Sequence, residues 1–301
     1  MLSLHTNSAA LSAQSSISRT QSALSTSQTR LSTGFRVNSA MDDAAGLQIA
    51  TRLKAQTSGM AMAMRNTQNS ISLLQTGEGA LDETTTILTR MKDLATQSAD
   101  ASSTTDDRTA MQNEFDALSN ELSNIIGNTS FGGTRLFSTG GTEEGTFQAA
   151  TLTFQIGAST DEKMDVDLKT AVGTMTGSIV AAATAFVSTG AAGAAGASAT
   201  PGTEIATATA ANGNITKLAD AIDAVGALRS QLGAVANRLD HVYNNLQNIS
   251  SNTTAATGRI MDTDFAAESS NMTSSQMLLQ AGTAMLKQSN STSSLVMSLL
   301  Q

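Results

Sequence analysis

Cysteine and tryptophan are missing from this chain of 301 residues, and proline occurs once, at Pro201. Without cysteine there is no disulfide, no thiolate metal ligand and no cysteine nucleophile, and the absence suits a protein that passes between redox compartments. With a single proline, whose place inside a helix costs about 3 kcal/mol, nothing interrupts long helices. Charge is scarce as well, at 14% of residues, with a formal net charge of −8. A sequence pI near 4.7 weighs against nucleic acid as a partner. Long apolar runs are also lacking. The longest, IVAAATAFV from Ile179, is far too short to cross a bilayer. The opening residues, MLSLHTNSAALSAQ, lack the basic and apolar regions of a cleaved secretory signal, so none is expected.

The catalytic inventory is equally thin. The two histidines, His5 and His241, lie far apart in sequence and suggest no constellation. Asp42-Asp43 could be weighed as a metal pair, but adjacent residues on a helix point in different directions, and no partner ligands are evident. The GAAGAAG run lacks the Lys-Ser/Thr of a phosphate loop. The expectation is no enzyme, with no catalytic, cofactor or metal residues.

What is present is periodicity. Ala10, Ile17, Leu24 and Leu31 stand seven apart, with Gln14, Gln21 and Gln28 four residues after each. Such spacing keeps one seam on one side of a helix and implies a partner helix. Glutamine in the companion position would make that seam choosy, since a buried amide must find a partner. The last segment repeats the design, with Phe265, Met272, Leu279 and Leu286 seven apart. Between these lie a helical tract from 44 to about 99, with a break expected near Thr76-Gly77, and a helix marked by Met111, Phe115, Leu118, Leu122 and Ile125. From Asn214 to Ile249 apolar residues step by threes and fours, with a stammer-like slip at Val225–Leu228–Leu232.

Residues 128–137, NTSFGGTRLF, are turn chemistry. Leu152, Phe154 and Ile156 alternate, as do Met164, Val166 and Leu168, which predicts a β-hairpin. Residues 171–213 are mostly Ala, Gly, Thr and Ser and read as a short, poorly ordered outer insertion with one short helix at 175–187. The fold class expected is mainly α: a long antiparallel helical bundle or coiled coil with a small β-hairpin region.

Each terminal heptad helix is followed, moving inward, by a short spoke in which the scarce charges gather. One spoke holds Gly34, Arg36, Ser39, Asp42 and Asp43; the other holds Gly258, Arg259, Asp262 and Asp264. Gly34 suits the left-handed residue that closes a helix, and Ser39 with Asp42 fits a capping box at the start of the next. The aspartates favour the positive end of a helix dipole. The two ends read as built to pair antiparallel with the spokes at one height. Thin, charge-poor helices cannot bury their faces in a monomer, but they can among copies of themselves.

On these residues the chain resembles a known family. NSAMDDAAGLQIA and RIMDTDFAAESSNMTSSQMLLQAG are similar to the two terminal signatures of bacterial flagellins, the subunits of the flagellar filament. The resemblance covers about 1–170 and 214–301. It implies that 1–40 and 260–301 form an inner coiled-coil tube, packed through Ile17, Leu24, Leu31, Phe265, Met272, Leu279 and Leu286. It implies that 41–170 and 214–259 form a helical shell with the hairpin, and that 171–213 is a small variable outer insertion. The expected function is a self-assembling structural subunit of the propeller that drives swimming motility. It would lie outside the cell and leave through the flagellum-specific type III apparatus without a cleaved signal.

The implied partners are further copies of the chain, the flagellar cap and hook–filament junction proteins, and an export chaperone on the C-terminal helix, with no nucleic acid, membrane or cofactor. Flagellins are also ligands of innate immune receptors. Residues 29–50 resemble the peptide that plant receptor kinases detect. LTRMKDLATQSAD (88–100) with Glu114 resembles the surface bound by a vertebrate Toll-like receptor, through Arg90, Leu94 and Glu114. The alternative function is a hook–filament junction protein, which shares the terminal helices.

Overall fold

The computed structural model describes residues 7–137, 145–149, 151–186 and 202–299, with side chains as far as Thr292. Its helices are α1 (Ser8–Thr33), α2 (Ala44–Ala99), α3 (Thr105–Asn128), α4 (Lys169–Ala182), α5 (Ala208–Met261) and α6 (Phe265–Leu299). Two antiparallel ribbons complete it, β1 (Ser130–Phe131) with β2 (Thr134–Arg135), and β3 (Leu152–Gln155) with β4 (Lys163–Val166). The chain divides into two compact units, residues 1–58 with 249–301, and residues 59–248. The boundaries implied by the resemblance were 40 and 260.

Within the larger unit, α5 carries the clearest seam. Ala211, Asn214, Leu218, Ala221, Val225, Leu228, Leu232, Val235 and Leu239 are buried, stepping three and four without interruption. The expected stammer is therefore absent. The seam passes through Ala221, leaving Ile222 half-buried on its shoulder. Alanine was missed because it is small, yet it keeps the helix in a continuous seven-residue register. Leu81, Leu88 and Met91 of α2 and Phe115, Leu122 and Ile126 of α3 join the same core.

The break expected at Thr76-Gly77 does not occur either, for α2 is continuous from Ala44 to Ala99. Gly77 has a packing role instead. A Cβ there would lie 2.6 Å from Cε2 of Phe147, a ring on a single 3-10 turn at Thr146–Gln148. Phe147 meets Phe137 edge to face, with ring centroids 5.2 Å apart. The glycine makes room for an aromatic pair on the helix surface.

The two predicted turn regions differ in size. Gly132 and Gly133, with φ of 60° and 88°, close the β1–β2 ribbon, the backbone a tight hairpin requires. In β3–β4, Leu152 faces Val166 and Phe154 faces Met164, all four buried, which is the alternation the sequence predicts. Its loop packs on α2, since a Cβ on Gly59 would sit 2.6 Å from Cβ of Ala158.

The flanks of the 171–213 region are packed, where a poorly ordered outer insertion was expected. α4 starts earlier than predicted and buries Val172, Met175, Ile179 and Ala182 at helical spacing. Phe186 and Ile205 are also in the core. Gln112 ties the returning chain down: its amide donates to Asp116 and Glu204, each at 2.9 Å, and its oxygen accepts from the Ile205 N–H at 2.8 Å. Burial pushes the Glu204 carboxyl up, but hydrogen bonds from Thr184, its own backbone and Gln112 hold it below its ordinary value. Small side chains hid this packing by diluting the apolar period. The GAAGAAG centre lies outside the described residues.

Candidate assembly site

The smaller unit is built on α1 and α6. Asn7 caps α1, its Oδ1 accepting from the Ala10 N–H at 3.1 Å, and its Nδ2 also donates to the Ser289 carbonyl at 3.3 Å. Twenty-odd residues on, Arg30 Nη1 lies 3.7 Å from Glu268 Oε2. Pairing early α1 with late α6, and late α1 with early α6, sets the helices antiparallel.

The seam has two rows. In one, Ile17 and Leu31 are half-buried and Leu24 is buried on α1, with Met272, Leu279 and Leu286 half-buried on α6. The companion row is small, with Ala13, Thr20 and Ser27 on α1 and Ser275, Gly282 and Ser289 on α6. Gln14, Gln21 and Gln28 are exposed, so the expected glutamine companions are not in the seam. The small row allows close approach: a Cβ on Gly282 would stand 2.9 Å from Ile17 Cγ1. Phe265 is also off the seam, 59% exposed. It is the first residue of α6, and Arg30 of α1 already lies opposite Glu268, beyond it.

Glu268 is 8% exposed, and Arg30 Nε is buried without a partner among the described residues. In so apolar a seam a lone ion pair specifies register more than it adds stability. Its sequence signal was faint, a single glutamate in a charge-free stretch.

The spokes pair directly. Gly34 closes α1 at φ 76°, its N–H donating to Arg30. The Arg36 N–H donates to the Met261 carbonyl at 2.6 Å, and the Thr263 N–H donates to Gly34 at 3.0 Å. Arg36 Nη2 donates to the Ile260 carbonyl at 2.9 Å, so the guanidinium covers the negative end of α5. Arg259 is exposed in the last turn of the same helix. Val37 follows at 1% exposure, a buried anchor that the sequence reading passed over. Its signal was a lone β-branched residue in a polar run.

Asp43 and Asp264 stand at helix N-termini as expected, but the capping box of Ser39 with Asp42 does not form. Asp43, not Ser39, caps α2, its Oδ1 accepting from the Gly46 N–H at 2.8 Å. Asp42 Oδ2 closes the preceding turn, accepting from the backbone N–H of Ser39 at 2.9 Å and of Asn38 at 3.1 Å, and from the Ser39 hydroxyl. Those donors, the Ser39 N–H first, hold its carboxyl below the ordinary value. Asp264 caps α6 through the N–H groups of Ala266 and Ala267. Asp262 forms an isolated bridge with Phe35 and lies over Gly258, where a Cβ would come 2.7 Å from Oδ2. Gly258 is therefore inside α5 and is not a helix stop like Gly34.

Among the described residues, large exposed apolar side chains gather in this unit, including Leu11, Met41, Phe265, Met277, Leu278 and Met285. Burying such groups against further protein is the strongest chemistry available here, since each fully buried side chain of this size contributes about 1.5–3 kcal/mol.

In the larger unit, Arg90 donates through Nε and Nη2 to Glu114 Oε1, at 2.9 and 2.6 Å, and both side chains are about half exposed. Leu94 is 2% exposed within the core. It is withdrawn from any surface formed by Arg90 and Glu114, because it lies on the α2 face that carries Leu88, Met91 and Ala95.

Family comparisons agree at both ends. The model described as the bacterial flagellin N-terminal helical region matches residues 4–142, and that of the C-terminal helical region matches 215–300. Flagellin A of Vibrio anguillarum is 34% identical, the match covering 100% of this chain and 100% of the relative. Flagellin D of Vibrio cholerae serotype O1 is likewise 34% identical, over 99% of each. A solved structure of a protein from Vibrio parahaemolyticus, assigned as flagellar hook-associated, aligns with TM-score 0.53 at 18% identity, over 73% of this chain and 100% of that one, which is a likeness of fold alone.

Proposed function

The chain belongs to the bacterial flagellin family, and from that premise we propose how its parts serve the filament of the flagellum. Flagellins are structural subunits that self-assemble into the filament, and they are not enzymes. In our reading, 1–40 and 260–301 form the inner tube, 41–170 with 214–259 the surrounding shell, and 171–213 the outer insertion. The supporting observation is that α1 and α6 meet along one narrow seam and leave uncharged apolar side chains open beyond it. Those side chains are covered by the same helices of neighbouring copies. Free of its neighbours, the subunit would need cover for α6, which is the place for an export chaperone. Export without a cleaved signal, and contact with cap and junction proteins at the filament ends, belong to the same reading.

For immune recognition we retain the exposed Arg90–Glu114 pair and leave Leu94 to the core. The alternative of a hook–filament junction protein has only the likeness of fold behind it. Full-length similarity to flagellins favours the filament subunit.

The test is electron microscopy of concentrated protein with and without preformed seeds. The full chain elongates seeds, whereas a chain truncated of 260–301 stays folded in its 59–248 unit and forms none. Filaments from the truncated chain would contradict the reading.

A further inference from the structure

α6 shows two faces. At about 100° per residue, the row of Met272, Ser275, Leu279, Gly282 and Leu286 looks toward α1, while Leu278 and Met285 lie roughly 80–100° round the helix and Met277 nearly opposite the row. These three are 61%, 59% and 68% exposed. We propose that Met277 and Met285 make this second face a peroxide-sensitive modification site that controls whether a subunit can join other copies. The inference rests on the filament reading, and its occupant is a second copy of this chain.

Charge favours that occupant. The chain carries a net charge of −8, yet α1 and α6 contain only two arginines, a glutamate and a lysine. No charge lies between Glu268 and Lys287. Like chains can therefore meet along these helices without the carboxylate repulsion that opposes contact elsewhere.

The thioether supplies the chemistry. Methionine sulfur attacks one oxygen of hydrogen peroxide, the O–O bond breaks as the S–O bond forms, and a proton shift releases water. Sulfur loses two electrons and peroxide gains them. The product sulfoxide is polar and chiral where the face was apolar, and sulfoxide reductases restore the thioether. Five other methionines, Met60, Met91, Met111, Met164 and Met175, are buried and out of reach, and Met64, Met261 and Met272 are half-buried. Met41 and Met62 are exposed but lie outside α6, at 97% and 50%, and serve as internal controls. Nothing in the spacing of Met277 and Met285 requires sulfur for packing, so leucine at both positions keeps the face apolar and removes the reaction.

The experiment treats dilute full-length subunit with hydrogen peroxide, locates sulfoxides by peptide mass spectrometry and measures elongation of seeds by light scattering. Oxidised subunit elongates at least about tenfold more slowly, and the two epimer-specific sulfoxide reductases restore the rate. The M277L/M285L variant elongates before treatment and keeps its rate after it, although Met41 and Met62 are oxidised. In preformed filaments, Met277 and Met285 oxidise at least about tenfold more slowly than in the subunit. Equal loss of elongation in M277L/M285L, unchanged elongation of oxidised subunit, or equal oxidation rates in filament and subunit would each overturn the proposal. Failure of untreated subunit to elongate seeds would instead remove the filament reading, and this proposal with it.

Discussion

Gly77 and Asp42 show how single residues act through what surrounds them. At Gly77, helix propensity alone favours almost any substitution, by up to about 1 kcal/mol. Against that stands the Phe147 ring, 0% exposed and 2.6 Å from where a Cβ would go. Overpacking a closed core costs about 1–3 kcal/mol, so Gly77→Val is expected to destabilise the larger unit by roughly 1–2 kcal/mol in urea unfolding. A neutral or stabilising result would show that the aromatic pair yields. At Asp42, a carboxyl with a lower pKa folded than unfolded binds fewer protons in the folded state. Its contribution is thus complete above the unfolded value and is lost as pH falls through the folded one. Amide resonances of Asn38 and Ser39, followed by NMR, should titrate with a midpoint below the ordinary aspartate value of about 3.9, and Asp42→Asn should abolish the transition. A midpoint at or above that value would mean that the turn is not clasped in solution.

At the scale of elements, the helices differ in how complete they are. Leu228 of α5 is 0% exposed, and truncating such a residue costs about 2–5 kcal/mol. Leu278 of α6 is 59% exposed, so its removal costs the subunit little. Leu228→Ala should therefore lower the unfolding midpoint sharply, while Leu278→Ala leaves it in place and slows elongation of seeds. The opposite pattern would mean that the open face of α6 has no occupant. The same contrast explains what could be read beforehand. Long seams of Leu, Val and Ile in α5 and the alternation of β3–β4 were legible because large apolar residues carry the period. Ala221 in the α5 seam, α4 with its small residues, and the Ser27–Gly282 row of α1 and α6 were not, because packing there is done by the absence of bulk. Asp42 and Asp43 were legible as a helix start, but which of them caps depends on the path of the turn.

For the whole molecule, the two ends of one chain meet to make a helix pair too thin to be stable alone. Among the described residues of α1, only Leu24 and Ser27 are buried. Isolated helices in water are marginal even with good propensity, and tertiary burial normally supplies what is missing. In the proposed filament that burial comes from other copies, and the scarcity of charge along both helices would follow from it. The most direct measurement is amide hydrogen exchange at α1 and α6, compared between dilute subunit and filament. Exchange near the unprotected rate in the dilute subunit and strong protection in the filament is the expected result. Equal protection in both states would show that the terminal pair stands by itself and would contradict the account.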